Sequence, residues 1–374
     1  MKSLSLTNYL IFFVILVALG VFYNKFEEKR MREENKEDYN TIRKYLLDDV
    51  ALAKSKKPIL WIHVPYEYNS RNWLSFGSRT SFQLNQPYLN LTIRTIINHC
   101  DDDFTICVID DTSFQKLVPG WSIDMTKIST PILDSMRTLG QMKLLREYGG
   151  MFCPISFVCM RPLIELYEKG TQSGTMFMCE TTNRNITSTT YDYYPSTAFC
   201  GAPKDCELVD QFIDFIQRTI SSDYTSETEF AGKFDRWANA KIQAGQITLI
   251  NGNEIGVKTV DDRPILIDDL MANSYLNLYG RTYGILIPAE EILARRNFQW
   301  FARMSNAQVL ESNTIIGNYL LVNLGETSNL LEPMEVKPKN WVGFWKTPDY
   351  PDGIYGMKPN YLGDNMTMTT ITTN

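Results

Sequence analysis

The sequence predicts an α/β layered domain behind an N-terminal transmembrane helix. Strand-like and helix-like runs alternate from Pro58 onward, and a long uncharged apolar run lies near the amino terminus. The second strand-like run ends in two aspartates, at the kind of position where open α/β sheets bind ligands. Alternation of this kind buries a sheet between helices.

The membrane element comes first along the chain. No charge falls between Lys2 and Lys25, and "YLIFFVILVALGVFY", Tyr9 to Tyr23, is apolar or aromatic throughout. A spanning helix needs roughly 20 residues, a length reached when Leu4 and Leu6 are included, and aromatic residues at both ends suit the bilayer interface. Residues 4–23 are therefore expected to cross the membrane once, within an anchor at 1–24. Ala18-Leu19-Gly20 is a passable signal-peptide cleavage site, but the apolar run continues past it, which favours an uncleaved anchor. Two signals disagree about the side. Lys25, Lys29, Arg30, Arg32 and Lys36 follow the span, which places the large domain in the cytosol. Asn90-Leu91-Thr92, Asn185-Ile186-Thr187 and Asn365-Met366-Thr367 are glycosylation sequons, which matter only on the lumenal side. Lumenal and cytosolic placements both stand.

Residues 25–57 are charged, with Glu28 and Arg32 at helical i,i+4 spacing and no Pro or Gly before Pro58. They read as a solvated helical stalk with too few apolar residues for heptads. From Pro58, "PILWIHVP" is the first buried strand, and "NQPYLNLTIRTIINHC" is a helix with Leu91, Ile93, Ile96 and Ile97 on its apolar stripe. "DFTICVIDD" is the second strand. "DSMRTLGQMKLLREYGG" is a helix with Met136, Leu139, Met142, Leu145 and Tyr148 on one side and Gly149 as its stop. "MFCPISFVCM" follows as a strand in which Pro154 implies an edge, a bulge or a strand end, and "CELVDQFIDFIQRTI" is a further amphipathic helix. The domain is expected over 58–330. An aromatic, Gly- and Pro-rich extension with a low-complexity tail occupies 331–374.

Composition narrows the chemistry. Among 374 residues, 44% are apolar and 12% aromatic, enough for a substantial core. A net charge of −6 offers no polyanion surface, so no nucleic-acid partner is expected. His63 and His99 are the two histidines, too few for a His-rich metal cage, and His63 reads as a packed or hydrogen-bonded core residue. The seven cysteines contain no C-x-x-C pair and read as buried free thiols.

The candidate site centres on "LDSMRTLGQMKLLREYGGMFCPISFVCMRPL". Residues i and i+3 share a helix face, so Asp134 and Arg137 project together near a helix N-terminus, where free N–H groups favour anionic ligands. The bland alternative is a capping aspartate paired with a surface arginine. Asp110 and Asp111 end the second strand and suit a ribose or a cation, while Asp111 also reads as the cap of the helix beginning at "DTSF". Asp268 and Asp269 in "PILIDDLM" form a second strand-end pair, a candidate cation holder or catalytic base for an acceptor hydroxyl, and also readable as a helix cap. Trp341 and Trp345 are aromatic faces able to close over a donor, although core or lid packing, the favoured reading, explains them without any ligand.

The segment from Asp134 to Leu163 resembles the core of the capsular-polysaccharide-synthesis and mannosyltransferase-like group of glycosyltransferases, which have the GT-A fold, a Rossmann-type nucleotide-sugar domain. The shared features are the acid and arginine at Asp134 and Arg137, the pair Gly149-Gly150, and Arg161-Pro162-Leu163, with weaker likeness over roughly Pro58 to Thr219. The resemblance implies that Asp134 and Arg137 contact the donor sugar. It also implies a D-x-D pair holding Mn²⁺ or Mg²⁺ against the diphosphate leaving group. Here those two positions are Pro154, which has no ligand atom, and Ser156, whose hydroxyl is a weak neutral ligand. The expectation is a nucleotide-sugar-dependent transferase acting on a glycan, glycolipid or protein acceptor, with a weakened metal site. The alternative is a catalytically inactive scaffold on the same fold. Donor contacts are expected from Asp134, Arg137, Asp110, Asp111, Ser156 and Trp345, and catalysis from Asp268 or Asp269.

Overall fold

The computed structural model describes residues 57–65, 86–128, 132–183, 192–222 and 232–325. The expected anchor, the stalk up to residue 56, the sequons at Asn185 and Asn365, and Trp341, Trp345 and the rest of 331–374 lie outside the described residues. Among the described residues no helix is long and apolar enough to cross a membrane.

In chain order the elements are β1 (Ile59–His63), α1 (Tyr88–Cys100), β2 (Thr105–Ile109), α2 (Ser113–Leu117), α3 (Ile132–Tyr148), β3 (Gly150–Phe152) and β4 (Phe157–Cys159). Then come α4 (Ile164–Thr171), β5 (Phe177–Thr182), β6 (Tyr193–Ala202), α5 (Glu207–Ser221), α6 (Lys233–Gln243) and β7 (Thr248–Ile250). The last are α7 (Ile267–Met271), β8 (Gly284–Leu286), α8 (Ala289–Ala294), α9 (Asn306–Leu310) and α10 (Ile315–Asn323).

The expected α/β architecture is present. Six strands form a mixed sheet in the order β2-β1-β3-β6-β5-β7, and β4 and β8 form a second, two-stranded sheet. β1 runs parallel to β2 and β3, β6 is antiparallel to β3 and β5, and β7 is parallel to β5. It follows that β1, β2, β3, β5 and β7 all open their carboxyl ends on one edge, a compatible base for a Rossmann-like crevice. One row of partners crosses the sheet, Leu60–Met151–Gly201–Phe177, and so fixes which residues stand level along that edge.

The hydrophobic pattern explains the layering. Ile59 and Trp61 in β1, Phe152 in β3 and Met178 in β5 meet Leu139, Met142 and Leu145 of α3, Val209, Phe212 and Ile216 of α5, and Ala238 of α6. Burying side chains of this size contributes about 1.5–3 kcal/mol each, which holds α3 and α5 to the sheet. A second core lies around α1, β4, β8, α7, α9 and α10, with Leu91, Val158, Ile267, Ile285, Phe301, Ile316 and Leu320.

The run "MFCPISFVCM" is not one strand. It divides into β3 and β4, which belong to different sheets. Pro154 has no N–H to continue a ladder; its carbonyl accepts from Phe157 N at 3.1 Å, closing a turn that carries the chain from one sheet to the other. The first sequon lies in α1, where the Thr92 hydroxyl is buried and donates to the carbonyls of Leu89 and Ile155.

Gly149 and Gly150 make the reversal from α3 to β3. Their φ angles are +71° and +98°, values that L side chains rarely adopt. A Cβ on Gly150 would lie 2.2 Å from the Ile59 carbonyl oxygen and one on Gly149 2.7 Å from Lys204 N. Trp61 Nε1 donates to the Gly149 carbonyl at 3.0 Å, tying the reversal to β1.

Candidate functional site

The carboxyl ends of β1 and β2 bring His63, Asp110 and Asp111 to one edge, and Val64 N donates to the Ile109 carbonyl at 2.8 Å to extend the pairing there. Helix α3 passes beside them. The two aspartates have separate jobs. Asp110 caps α2: its Oδ1 accepts from Ser113 N at 2.8 Å, Ser113 Oγ at 2.7 Å and Thr112 Oγ1 at 2.8 Å. Burial raises its carboxyl pKa, but these hydrogen bonds outweigh burial and leave it below the usual carboxylate value. The helix cap expected of Asp111 is thus made by Asp110.

Asp111 instead holds Arg137. The guanidinium Nε donates to Oδ1 at 3.0 Å and Nη2 to Oδ2 at 2.8 Å, a bidentate pair. His63 Nε2 meets the same Oδ1 at 2.9 Å. Burial again works against the carboxylate, and the hydrogen bonds and charges of His63 and Arg137 overcome it, lowering its pKa from 3.8 to about 2. Arg137 Nη1 reaches Asp134 Oδ1 at 3.2 Å, so the acid and arginine share a face as the i,i+3 spacing implies. Arg137 is 9% exposed and Asp134 62%, which puts the arginine inside and Asp134 at the surface. Gln141 Nε2 lies 3.3 Å from His63 Nδ1.

Sequence reasoning left His63 and Gln141 out of the site. Gln141 was legible, since it falls four residues after Arg137 on the same helix face. His63 was legible only as the last residue of a buried strand. The Asp111–Arg137 bond spans 26 positions and needs the tertiary fold.

Arg137 and Asp111 neutralise each other, and Asp134 adds a negative charge at the surface. Such a cluster presents acceptors and shared donors to hydroxyl groups and offers no net positive charge to a diphosphate. Ser156 is buried in the β3–β4 turn, where its carbonyl accepts from Ile287 N at 3.0 Å. Divalent Mn²⁺ or Mg²⁺ asks for anionic oxygens. Pro154 has none, Ser156 offers a neutral hydroxyl, and the Asp110 and Asp111 carboxylates are already engaged by donors. Among the described residues, no group of three or more His, Cys, Asp or Glu side chains is placed to hold a metal ion. The donor set fits a tightly held divalent cation poorly.

Asp268 and Asp269 sit elsewhere. They are not at a strand end: they open the short helix α7, whose Ile267, Leu270 and Met271 pack in the second core. Asp269 Oδ2 accepts from Leu266 N at 3.0 Å, a helix cap, and Oδ1 accepts from Arg263 Nη2 at 2.8 Å. Asp268 pairs with Arg295, whose hydrogen bond lowers the carboxyl pKa. A surface pocket of about 600 Å³ between α5 and α6, lined by Phe215, Arg218, Lys233, Arg236 and Trp237, lies apart from the strand-end cluster and is shallow and open.

No protein-family model matches the chain, and comparison with curated proteins returns no relative.

Proposed function

We propose that this chain is a membrane-anchored glycosyltransferase of GT-A type that moves a sugar from a nucleotide-sugar donor to a glycan, glycolipid or protein acceptor. The observation that carries the reading is the chain of ion pairs beside the carboxyl ends of parallel strands that runs from the largely buried Asp111 and Arg137 to exposed Asp134. Charges as buried as those of Asp111 and Arg137 are costly unless paired, and Asp134 extends the pair to the surface. The Gly149–Gly150 reversal, the break from β3 into a second sheet and the mixed sheet support the same reading. In it, Asp134 and Arg137 hold hydroxyls of the donor sugar, and the Pro154–Ser156 turn faces the diphosphate.

Proline in the position of the first expected metal ligand favours a second reading, a transferase scaffold that binds without turnover. One experiment separates the two. The full-length chain in detergent is screened by thermal shift against UDP- and GDP-sugars, with and without Mn²⁺. A donor at 100 times its Kd should stabilise by about 2.7 kcal/mol. A shift with one donor, lost in Asp134→Ala, followed by product formation supports the transferase. Binding with no product in any acceptor mixture supports the scaffold. A well-folded sample that no donor stabilises overturns both. Dependence of the shift on Mn²⁺ would mean that a cation completes the site.

A further inference from the structure

The donor cluster leaves the acceptor without a place, and the same sheet edge carries a second cluster. Glu180 stands three residues beyond Phe177 in β5, as His63 stands three beyond Leu60 in β1, and Phe177 and Leu60 lie in one row of the sheet. The β5–β6 register shifts between Met178 and Cys179, so the row fixes the edge and not the level: His63 and Glu180 lie toward the carboxyl ends of parallel strands on one edge of the sheet. β3 and β6 lie between their strands. The Pro154–Ser156 turn leaves β3 within that interval.

Glu180 is held by one oxygen. Its Oε2 accepts from Lys258 Nζ at 2.9 Å and from Gly252 N at 2.8 Å. No partner meets Oε1 among the described residues, and the side chain keeps 15% of its surface exposed. Lys258, 7% exposed, also meets Asp262 at 3.2 Å and lies 4.6 Å from the Tyr193 ring centroid, while the Tyr193 hydroxyl donates to the Asp262 carbonyl at 2.6 Å. Burial works against the Lys258 ammonium, but Glu180 and Asp262 outweigh it and hold the charge on. Two carboxylates against one ammonium leave the cluster negative. It therefore repels a phosphate and favours a hydroxyl donor. A carboxyl group anchored through one oxygen, with the other oxygen free, is suited to orienting a sugar hydroxyl.

We propose that Glu180 binds the acceptor: its Oε1 accepts a hydrogen bond from a hydroxyl of a sugar-bearing acceptor, and Lys258 is the positioning residue that fixes the carboxylate. This assignment rests on the transferase reading and gives that site its second substrate.

The test uses the full-length chain in detergent, the donor found by thermal shift, and methyl glycosides of glucose, galactose and mannose as acceptor probes. In Glu180→Gln, the amide oxygen turns to Lys258 and Gly252 and an N–H replaces the free Oε1. The acceptor KM for the glycoside used by the wild type should rise about 10- to 100-fold, with the donor-induced shift unchanged. Lys258→Arg should retain more acceptor affinity than Lys258→Met. An unchanged acceptor KM in Glu180→Gln overturns the proposal. So does a variant that weakens donor and acceptor equally with a lowered Tm, the mark of a structural ion pair. If the donor stabilises the wild type but none of the glycosides is used or detected by saturation-transfer NMR, the acceptor assignment falls and the donor site stands. If no donor stabilises the wild type, the transferase reading falls and takes this assignment with it.

Discussion

Replacing Asp111 by asparagine removes one charge from the centre of the candidate site and leaves the volume unchanged. The new side chain would set an amide N–H group against a guanidinium that can only donate, and would take from Arg137, 9% exposed, the carboxylate that grips it at 2.8 and 3.0 Å. The size of the loss follows from the titration. Asp111 is held at about 2 against an ordinary 3.8, a difference worth about 2 kcal/mol of folding free energy. Because the folded-state value is the lower one, this contribution is fully present above about pH 4 and fades as the pH falls toward about 2. Urea unfolding followed by tryptophan fluorescence at pH 7, 5 and 3 measures it. Asp111→Asn should lose about 2 kcal/mol at pH 7 and at pH 5, and less at pH 3. A variant within about 0.5 kcal/mol of the wild type at pH 7, the range of ordinary surface substitutions, would refute the buried ion pair. A difference that grows on acidification would refute the direction of the shift.

Gly150→Ala should destabilise by more than the ~1–3 kcal/mol of backbone strain alone, because its Cβ would stand 2.2 Å from the Ile59 carbonyl oxygen; loss of soluble protein or a large drop in Tm checks this. Asp268→Ala should change stability by less than ~1 kcal/mol in denaturant titration, since Asp268 is 51% and Arg295 41% exposed. All seven cysteines are free and buried, and burial pushes the Cys107 and Cys200 thiols up to about 12. A chromogenic disulfide reagent at pH 8 should therefore react with seven thiols only once denaturant is added; rapid reaction of the native chain would refute that burial.

Local pattern carried much of the fold. The apolar stripe of "NQPYLNLTIRTIINHC" and the buried runs "PILWIHVP" and "DFTICVIDD" appear as α1, β1 and β2 because side-chain period and burial agree there. Asp134 and Arg137 were legible as partners because helical spacing alone places them together. The split of "MFCPISFVCM" into strands of two sheets was not legible: Pro154 signals an interruption, but only the partners available to β3 and β4 decide where each half pairs. Asp110 and Asp111 are adjacent and alike in sequence, yet one caps α2 and the other holds Arg137 and His63. Their division of labour depends on what α3 and β1 bring near.

By itself, then, the sequence determined β1, α1, β2, α3 and α5, the helix face shared by Asp134 and Arg137, and the glycine reversal after α3, because each depends on neighbours within a few positions. Only the tertiary structure decided that His63, Asp111 and Arg137 form one cluster, that Glu180 and His63 share one edge of the sheet, and that Asp268 and Asp269 belong to a different core. Those relations join residues tens of positions apart, and strand order and register set them through long-range packing that no local pattern encodes.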